Sequence, residues 1–181
     1  MKYNTPYFIE DKSFLTDNQI NYISEIIESE KTPFYFAPRA TKHGGDSAHF
    51  VHHAITRPED GSHQPGIENS SEAPFFKNIL NTFCNKHSIK YQTIYRAVMN
   101  ITFPNDKIDK VPAHIDHDFP HRQLLIYLNN SDGNTVILDY EENIFKSIEP
   151  EQYKGIMFDS TKHYHFFPTR SWRGVILITF I

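Results

Sequence analysis

The sequence contains a single cysteine, Cys84, among its 181 residues. One cysteine excludes an internal disulfide framework, and it also excludes a zinc or iron–sulfur site built from cysteines within one chain. A chain without disulfides suits a reducing compartment, so we expect a cytoplasmic protein.

The sequence also lacks long apolar runs. None approaches the length that a membrane-spanning helix needs, and Met1–Asn4 is not followed by the apolar core of a signal peptide. We therefore expect no membrane partner. Hydrophobic residues make up 39% of the chain and charged residues 22%, which is typical of a folded globular protein. The length suits one domain, residues 1–181, with a sizeable core.

Positive charge is scarce as well. The net charge is −4, and no stripe of basic residues is visible, so nucleic acid is not expected as a partner. Two counts are high instead, with 11 histidines and 14% aromatic residues. Many histidines can be solvated bystanders, so their positions matter more than their number.

The first half of the chain carries two helical patterns. One helix is predicted to begin at Leu15–Asp17, with Thr16 or Asp17 as its cap and isoleucines at helical spacing behind it. A second is predicted from Ser71–Pro74, with an apolar stripe and Cys84 packed on it. Both have the form of amphipathic covers on one face of a sheet.

Between the two helices lies the least regular stretch, Pro38–Ser70, which is rich in glycine, proline and histidine. Within it only His49–Ile55 has the pattern of a strand. A long polar excursion is either a solvated surface loop or a functional segment. We expect either such a loop or a mobile lid that orders over substrate.

The second half reads as short strands and turns. The predicted strands are 93–102, 123–128, 135–138, 155–158 and 174–180. Asn130–Gly133 has the composition of a turn, and Thr135–Leu138 is the predicted strand that follows it, as in a hairpin. Two helices followed by many strands predict a mostly β fold with flanking helices, a double-stranded β-helix or jelly roll with both helices on one sheet. We expect residues 1–92 to be helical support with the lid, and residues 93–181 to be the jelly-roll core.

Within the strand-rich half, His114 and Asp116 are two positions apart. On a strand their side chains point the same way. One more histidine from a distant strand, at His163–His165, would complete a site of two histidines and one carboxylate, which holds non-haem Fe(II) and leaves positions open. Arg173, ten positions past His163, could bind the far carboxylate of a small dicarboxylate on the metal.

These residues resemble the Fe(II)- and 2-oxoglutarate-dependent oxygenases, in particular the prolyl-4-hydroxylase-like and phage-type small members. The resemblance covers roughly residues 95–180. An H-x-D pair alone is a weak signal, but the ordered set in a strand-rich context is strong. The matching segments are His114–Asp116, Ile126–Asn129, Ser131–Thr135, Gly155–Ser160, a histidine, Pro168 and Arg173.

The resemblance implies a metal site and a choice of third ligand. His114 and Asp116 would be the first two iron ligands. His163 fits the family's usual distance to Arg173 and is favoured as the third ligand, and His165 is the alternative. Asp118, His117 and His121 are candidates to orient the ligands.

The resemblance also implies a cosubstrate site. Arg173 would pair with the distal carboxylate of 2-oxoglutarate, Tyr127 would hydrogen-bond the same carboxylate, and Asn100 would contact the cosubstrate. The alternative for Tyr127 is a core aromatic with its hydroxyl bonded, and the alternative for Asn100 is a satisfied strand or turn amide. Arg96, on the same strand as Asn100, is either a surface arginine or a substrate contact. The chain departs from relatives at Thr102, where many have tyrosine, and at Val175, so the R-x-S pattern is absent.

The expected function is that of an Fe(II)- and 2-oxoglutarate-dependent dioxygenase that uses O2 and hydroxylates an unactivated C–H bond. The substrate could be peptidyl, an amino acid or another small molecule, and succinate and CO2 would be released. If the chain is phage-encoded, it would act in the host cytoplasm. The alternatives are a cupin-like metal-binding isomerase and a non-catalytic jelly-roll binding protein. A cupin-like protein needs no carboxylate site at Arg173, and the intact His114–Asp116 pair with a distal histidine argues against a non-catalytic module.

Overall fold

A computed structural model of the chain describes residues 5–39, 47–58 and 64–181. In this part of the chain the two helices are α1 (Asp17–Glu28) and α2 (Ala73–Lys86). The strands are β1 (Phe8–Asp11), β2 (Tyr35–Ala37), β3 (His49–Thr56), β4 (Ile67–Glu68), β5 (Ile94–Thr102), β6 (Arg122–Tyr127), β7 (Thr135–Leu138), β8 (Ile144–Ile148), β9 (Gly155–Asp159), β10 (His163–His165) and β11 (Arg173–Phe180). Neither of these helices has the length and apolar character that crossing a membrane requires.

Most of the strands form one antiparallel sheet in the order β1-β9-β6-β11-β5-β3-β2, and β4 pairs with β3 at its side. The central strand β11 is buried along its whole length, between β5 and β6. A second sheet has the order β10-β7-β8. The central strands read as continuous apolar runs because both of their faces are covered.

The two helices cover one face of the large sheet. Their apolar stripes, including Ile23 on α1 and Phe76 on α2, pack against alternate residues of β5, β6 and β11, such as Met99 and Ile176. A capping box starts α1, in which the Thr16 hydroxyl accepts from the Gln19 amide and the Gln19 side chain accepts from the Thr16 amide. The predicted mostly β fold, with two helices packed on one sheet, is confirmed.

The opposite face of the large sheet packs against the small sheet. Val98, Leu125 and Leu177 on the large sheet share a core with Ile137 on β7 and Ile148 on β8. This second core fills only part of the space between the sheets, and the remainder is a cavity.

Within Pro38–Ser70 the predicted strand His49–Ile55 is confirmed, and the prediction of a loop or a mobile lid is wrong for that part of the stretch. Residues 49–56 form β3, a full strand of the large sheet paired with β5, and Ala54 and Ile55 are buried. Residues 40–46 and 59–63 lie outside the described residues, so the lid prediction for them stays untested.

The division into a helical first half and a strand-built second half does not match the topology either. Strands β1 to β4, all before residue 93, belong to the same sheet as β5 and β11. Short, aromatic or histidine-rich strands carry little periodic signal, so the first half looks more helical in sequence than it is.

Two local predictions in the second half are also wrong. The turn after β6 does not return the chain as a hairpin, because β7 pairs with β8 and β10 in the other sheet. His114 and Asp116 do not lie on a regular strand, since His114 makes only an isolated bridge with His163. Strand β8 was not expected from the sequence, and β10 was expected only as the distant strand that carries the further histidine.

Candidate active site

A cavity of about 490 Å³ lies between the two sheets. Its floor is made by the cavity-facing residues of β5 and β11, with Leu125 from β6 beside them. The small sheet contributes Thr135 and residues 163–165, and the segment 114–119 forms a further wall. The volume lies in the lower part of the range typical of small-molecule sites.

His114 and His163 are joined through their backbones. Each amide donates to the carbonyl of the other at 3.0 Å, and the two imidazole rings lie 4.6 Å apart between centroids. His114 Nδ1 lies 2.9 Å from the Pro112 carbonyl and His163 Nδ1 lies 3.1 Å from the Thr161 carbonyl. A carbonyl only accepts, so each Nδ1 carries the proton. In a neutral ring this leaves the lone pair on Nε2, which is the form that binds a metal.

Asp116 faces the same place. Its Oδ2 lies 3.6 Å from His163 Nε2 and is buried without a hydrogen-bond partner. Its Oδ1 lies 3.3 Å from Arg57 Nη2 and 3.3 Å from Arg96 Nη1. One carboxylate oxygen is thus held by two guanidinium groups, and the other is directed toward the histidine pair.

The protonation states suit metal binding. Burial lowers the pKa of His163 to about 4, so its ring is neutral at pH 7. Burial alone would raise the pKa of Asp116, but His163, Arg96, His114 and Arg57 hold it well below its usual range. Burial also lowers the pKa of Arg96 to about 10, which leaves it charged at pH 7.

The residues fit an Fe(II) ion in donor chemistry. Two neutral imidazole nitrogens and one ionised carboxylate oxygen are the donor set of non-haem Fe(II) sites, and the buried Asp116 Oδ2 has no other partner. Within residues 5–39, 47–58 and 64–181, no group of three or more His, Cys, Asp or Glu side chains has the closeness of a formed metal centre. The metal assignment of His114, Asp116 and His163 therefore rests on donor chemistry and remains a prediction.

Arg173 lies at another part of the cavity wall and is buried. Its Nε donates to the Gly133 carbonyl and its Nη2 to Thr135 Oγ1, both at 2.8 Å. The Tyr127 hydroxyl also donates to Thr135 Oγ1 at 2.8 Å, and the Arg173 guanidinium lies 5.7 Å from the Tyr127 ring centroid. In the described part of the chain, no carboxylate forms an ion pair with this guanidinium.

Thr135 occupies the centre of this arrangement. Its oxygen accepts one bond from Tyr127 and one from Arg173, so both lone pairs are used. Its own O–H proton is then left to donate elsewhere, and Thr135 lines the cavity. Burial raises the pKa of Tyr127 to about 12 and lowers that of Arg173 to about 10, so both remain protonated at pH 7.

A glycine is required beside Arg173. A Cβ added at Gly133 would lie 2.7 Å from the Phe166 carbonyl oxygen and 2.9 Å from Arg173 Cδ. The absence of a side chain at Gly133 lets its carbonyl reach the guanidinium and fixes where Arg173 lies.

Of the remaining predicted site residues, Asn100 and His165 line the cavity and Tyr127 does not. Asn100 lines the cavity with its Oδ1 buried and unpartnered, and His165 lines it with its Nε2 buried and unpartnered. Burial lowers the pKa of His165 well below its usual range, with Arg173 acting in the same direction. Tyr127 does not line the cavity, since it lies behind Thr135 and supports Arg173 from there.

Two candidates for orienting the ligands bond elsewhere. His117 Nε2 lies 2.8 Å from Thr179 Oγ1, and His121 Nδ1 lies 2.8 Å from the Phe119 carbonyl. The contacts that orient His114 and His163 come instead from the carbonyls of Pro112 and Thr161. Backbone carbonyls carry no sequence signal.

Sequence reasoning also missed Thr135, His49 and the pairing of Asp116 with two arginines. Arg57 follows β3 in the stretch interpreted as a loop or lid, and Arg96 is on β5. Only the folded topology brings them to Asp116, so no local pattern could have shown the contact.

The fold matches solved structures of the 2-oxoglutarate-Fe(II) oxygenases. One is an oxidoreductase of that family from Burkholderia pseudomallei, with a TM-score of 0.76 and 11% identity over 96% of this chain and 84% of that chain. Another is a prolyl hydroxylase from Trichoplax adhaerens in complex with a hypoxia inducible factor peptide fragment, with a TM-score of 0.63 and 16% identity over 96% and 83%.

A third is the viral collagen prolyl hydroxylase of Paramecium Bursaria Chlorella virus-1 in complex with 2-oxoglutarate, with a TM-score of 0.58 and 14% identity over 96% and 95%. No family model and no curated protein matches the chain. At these identities the likeness shows that the chain has the fold of these oxygenases.

Proposed function

We propose that the protein is an Fe(II)- and 2-oxoglutarate-dependent dioxygenase. It hydroxylates an unactivated C–H bond of a peptidyl, amino-acid or small-molecule substrate and releases succinate and CO2. The observation that carries the proposal is one cavity with two functional regions. One region has the His114, Asp116 and His163 donors, and the other has the buried guanidinium of Arg173 with no acidic partner in the described part of the chain.

His114, Asp116 and His163 are the proposed iron ligands. Carbonyl contacts at both Nδ1 atoms fix the ring tautomers before any metal binds, and the guanidinium groups of Arg57 and Arg96 keep Asp116 ionised. When bound, Fe(II) with a 2-oxo acid and O2 supplies the oxidising chemistry, and the protein supplies position and exclusion of water.

Arg173, with Thr135, is the proposed site for the distal carboxylate of 2-oxoglutarate. The guanidinium gives charge and directional donors, and the free Thr135 proton gives one further donor. Tyr127 supports both groups from behind the cavity wall. Asn100 Oδ1 and His165 Nε2 are unpartnered polar atoms of residues that line the same cavity, where a bound ligand would satisfy them.

The test is an assay of the purified protein with Fe(II), 2-oxoglutarate and O2, with and without candidate substrates. We expect succinate to form in proportion to the keto acid consumed, and Asp116→Ala to abolish its formation. A cupin-like isomerase or a binding protein would form no succinate. Keto-acid binding without turnover would leave only a binding function.

A further inference from the structure

Arg57 and Arg96 form a pair of guanidinium groups on the cavity wall, and both are directed at Asp116 Oδ1. A guanidinium carries five N–H donors. The described residues provide each of these two with one acceptor, the same carboxylate oxygen, at 3.3 Å. Counted over the described residues, each arginine has donors left for a further acceptor, and the Arg57 side chain is 41% exposed and can be reached.

The arginine pair lies far from Arg173. On the paired strands β5 and β11, Arg96 is opposite Thr179 and Thr102 is opposite Arg173. Six residues of strand separate these two positions, which is roughly 20 Å at the usual rise per residue. The cavity thus has a cationic group at each end of its floor, with the predicted metal ligand Asp116 next to the Arg57–Arg96 end.

The charges of the cavity do not balance. The described lining residues include Arg57, Arg96 and Arg173 but only two acids, Asp116 and Asp118. Among these arginines and aspartates, positive charge exceeds negative charge by one. A divalent cation and a dianionic keto acid cancel each other, which leaves one positive charge uncompensated.

We propose that the Arg57–Arg96 pair is the subsite for a carboxylate of the primary substrate, so that the enzyme acts on a molecule with a free carboxylate and not on an internal residue of a protein. This inference rests on the proposed oxygenase function. The aromatic wall of Tyr95 and Phe119, whose rings lie 4.8 Å apart, borders the same end of the cavity and suits the apolar part of a small substrate.

The experiment measures binding to the protein loaded with Fe(II) and 2-oxoglutarate without oxygen. The probes are the common L-amino acids, their carboxamides, and short peptides with free or amidated C-termini. Binding is followed by the change in the charge-transfer absorption of the iron–keto acid chelate and by calorimetry. Comparing the amino acids with the peptides shows whether the bound carboxylate belongs to a free amino acid or to the C-terminus of a peptide.

We expect at least one carboxylate probe to bind and its amide to bind on the order of 10- to 100-fold more weakly, as loss of a charged hydrogen bond predicts. Arg57→Gln should weaken binding of the carboxylate probe by a similar factor and leave binding of its amide unchanged. Arg170→Gln, at an exposed arginine outside the cavity, should change neither. Arg57→Lys should restore part of the loss because it restores the charge.

Several results would overturn the subsite. Acids and amides could bind equally, only peptides blocked at both ends could bind, or no carboxylate probe could bind at all. Mn(II) binding to Arg57→Gln, followed by electron paramagnetic resonance, tests whether Arg57 serves only to hold Asp116. In that case the variant would lose Mn(II) affinity by the same factor as its affinity for the carboxylate probe. If the wild type fails to bind 2-oxoglutarate, the oxygenase proposal fails instead, and acid binding to the Mn(II)-loaded protein still tests the subsite.

Discussion

Arg173 shows how a single buried side chain can be prepared for a ligand. Gly133 and Thr135 take two of its donors, and Tyr127 lies against its guanidinium. These contacts fix the direction of the group without neutralising its charge. A buried cation with neutral partners is costly unless an anion joins it.

We expect Arg173→Lys to weaken 2-oxoglutarate binding by about 1.5–3 kcal/mol, because lysine keeps the charge but loses the planar fork of donors. Iron binding should hardly change. A titration of the keto acid into the iron-loaded protein, followed by the charge-transfer absorption, measures the effect, and Arg170→Lys is the matched control. Unchanged binding in both Arg173→Lys and Arg173→Ala would place the carboxylate site elsewhere.

His163 and His165 give a second test at this scale. His163 Nε2 lies 3.6 Å from Asp116 Oδ2, and His163 is joined to His114 by two backbone hydrogen bonds. His163→Ala should therefore abolish Mn(II) binding, and His165→Ala should leave it unchanged. The measurement is the Mn(II) affinity of each variant. If only His165→Ala loses the metal, the assignment of the third ligand is wrong.

Among the elements, α1 is fixed by its N-terminal cap. Thr16→Ala removes the hydroxyl that accepts from the Gln19 amide and should lower the free energy of unfolding by about 1 kcal/mol. Gln19→Ala should cost more, because Gln19 also donates to Asn78 and Thr82 on α2. Urea unfolding measures both, and Asn21→Ala on the exposed face of α1 is the control. Equal values for Thr16→Ala and Asn21→Ala would show that the cap contributes nothing.

Strand β3 should behave as sheet and not as a loop. The β3 amides that pair with β5 are expected to show hydrogen-exchange protection comparable with that around Leu125 on β6. Residue-resolved exchange of the protein without ligand gives the answer. Rapid exchange throughout β3 would return this segment to the lid interpretation.

The elements divide clearly into those that the sequence predicts and those that it does not. The starts of helices α1 and α2 and the bounds of strands β3, β5, β6, β7, β9 and β11 were predicted within one or two residues, because these elements have caps or apolar runs. Strands β8 and β10 are short and polar, and their pairing depends on partners distant in the chain. In the site, spacing and the family resemblance predicted His114, Asp116 and His163, which the structure brings together, but the arginines at Asp116 required the topology.

At the scale of the whole molecule, Asp11 connects the edge strand β1 to the end of α2. It accepts from Ser13, Lys86 and His87. Burial alone would raise its pKa, but these partners lower it below 3.8. Because the folded-state pKa is depressed, the stabilisation is complete above the unfolded value and is lost as pH falls through the folded one.

Asp11→Asn should therefore lower the free energy of unfolding by about 1–3 kcal/mol at pH 7, and the difference from wild type should shrink below about pH 3.8. Urea unfolding between pH 3 and pH 7 measures the difference, and Asp106→Asn, at an exposed carboxylate, is the control. A difference that stays constant with pH would mean that Asp11 acts through packing and not through its charge.

The backbone bridge between His114 and His163 has a consequence for the order of assembly. The two residues are far apart in sequence, and their reciprocal hydrogen bonds form only after β10 has docked beside the segment that contains His114. Contacts between residues that are distant in sequence form late in folding, because bringing them together costs loop-closure entropy. The ability to take up a metal should therefore appear in the slowest kinetic phase of refolding, after the α1–α2 layer has already covered the large sheet.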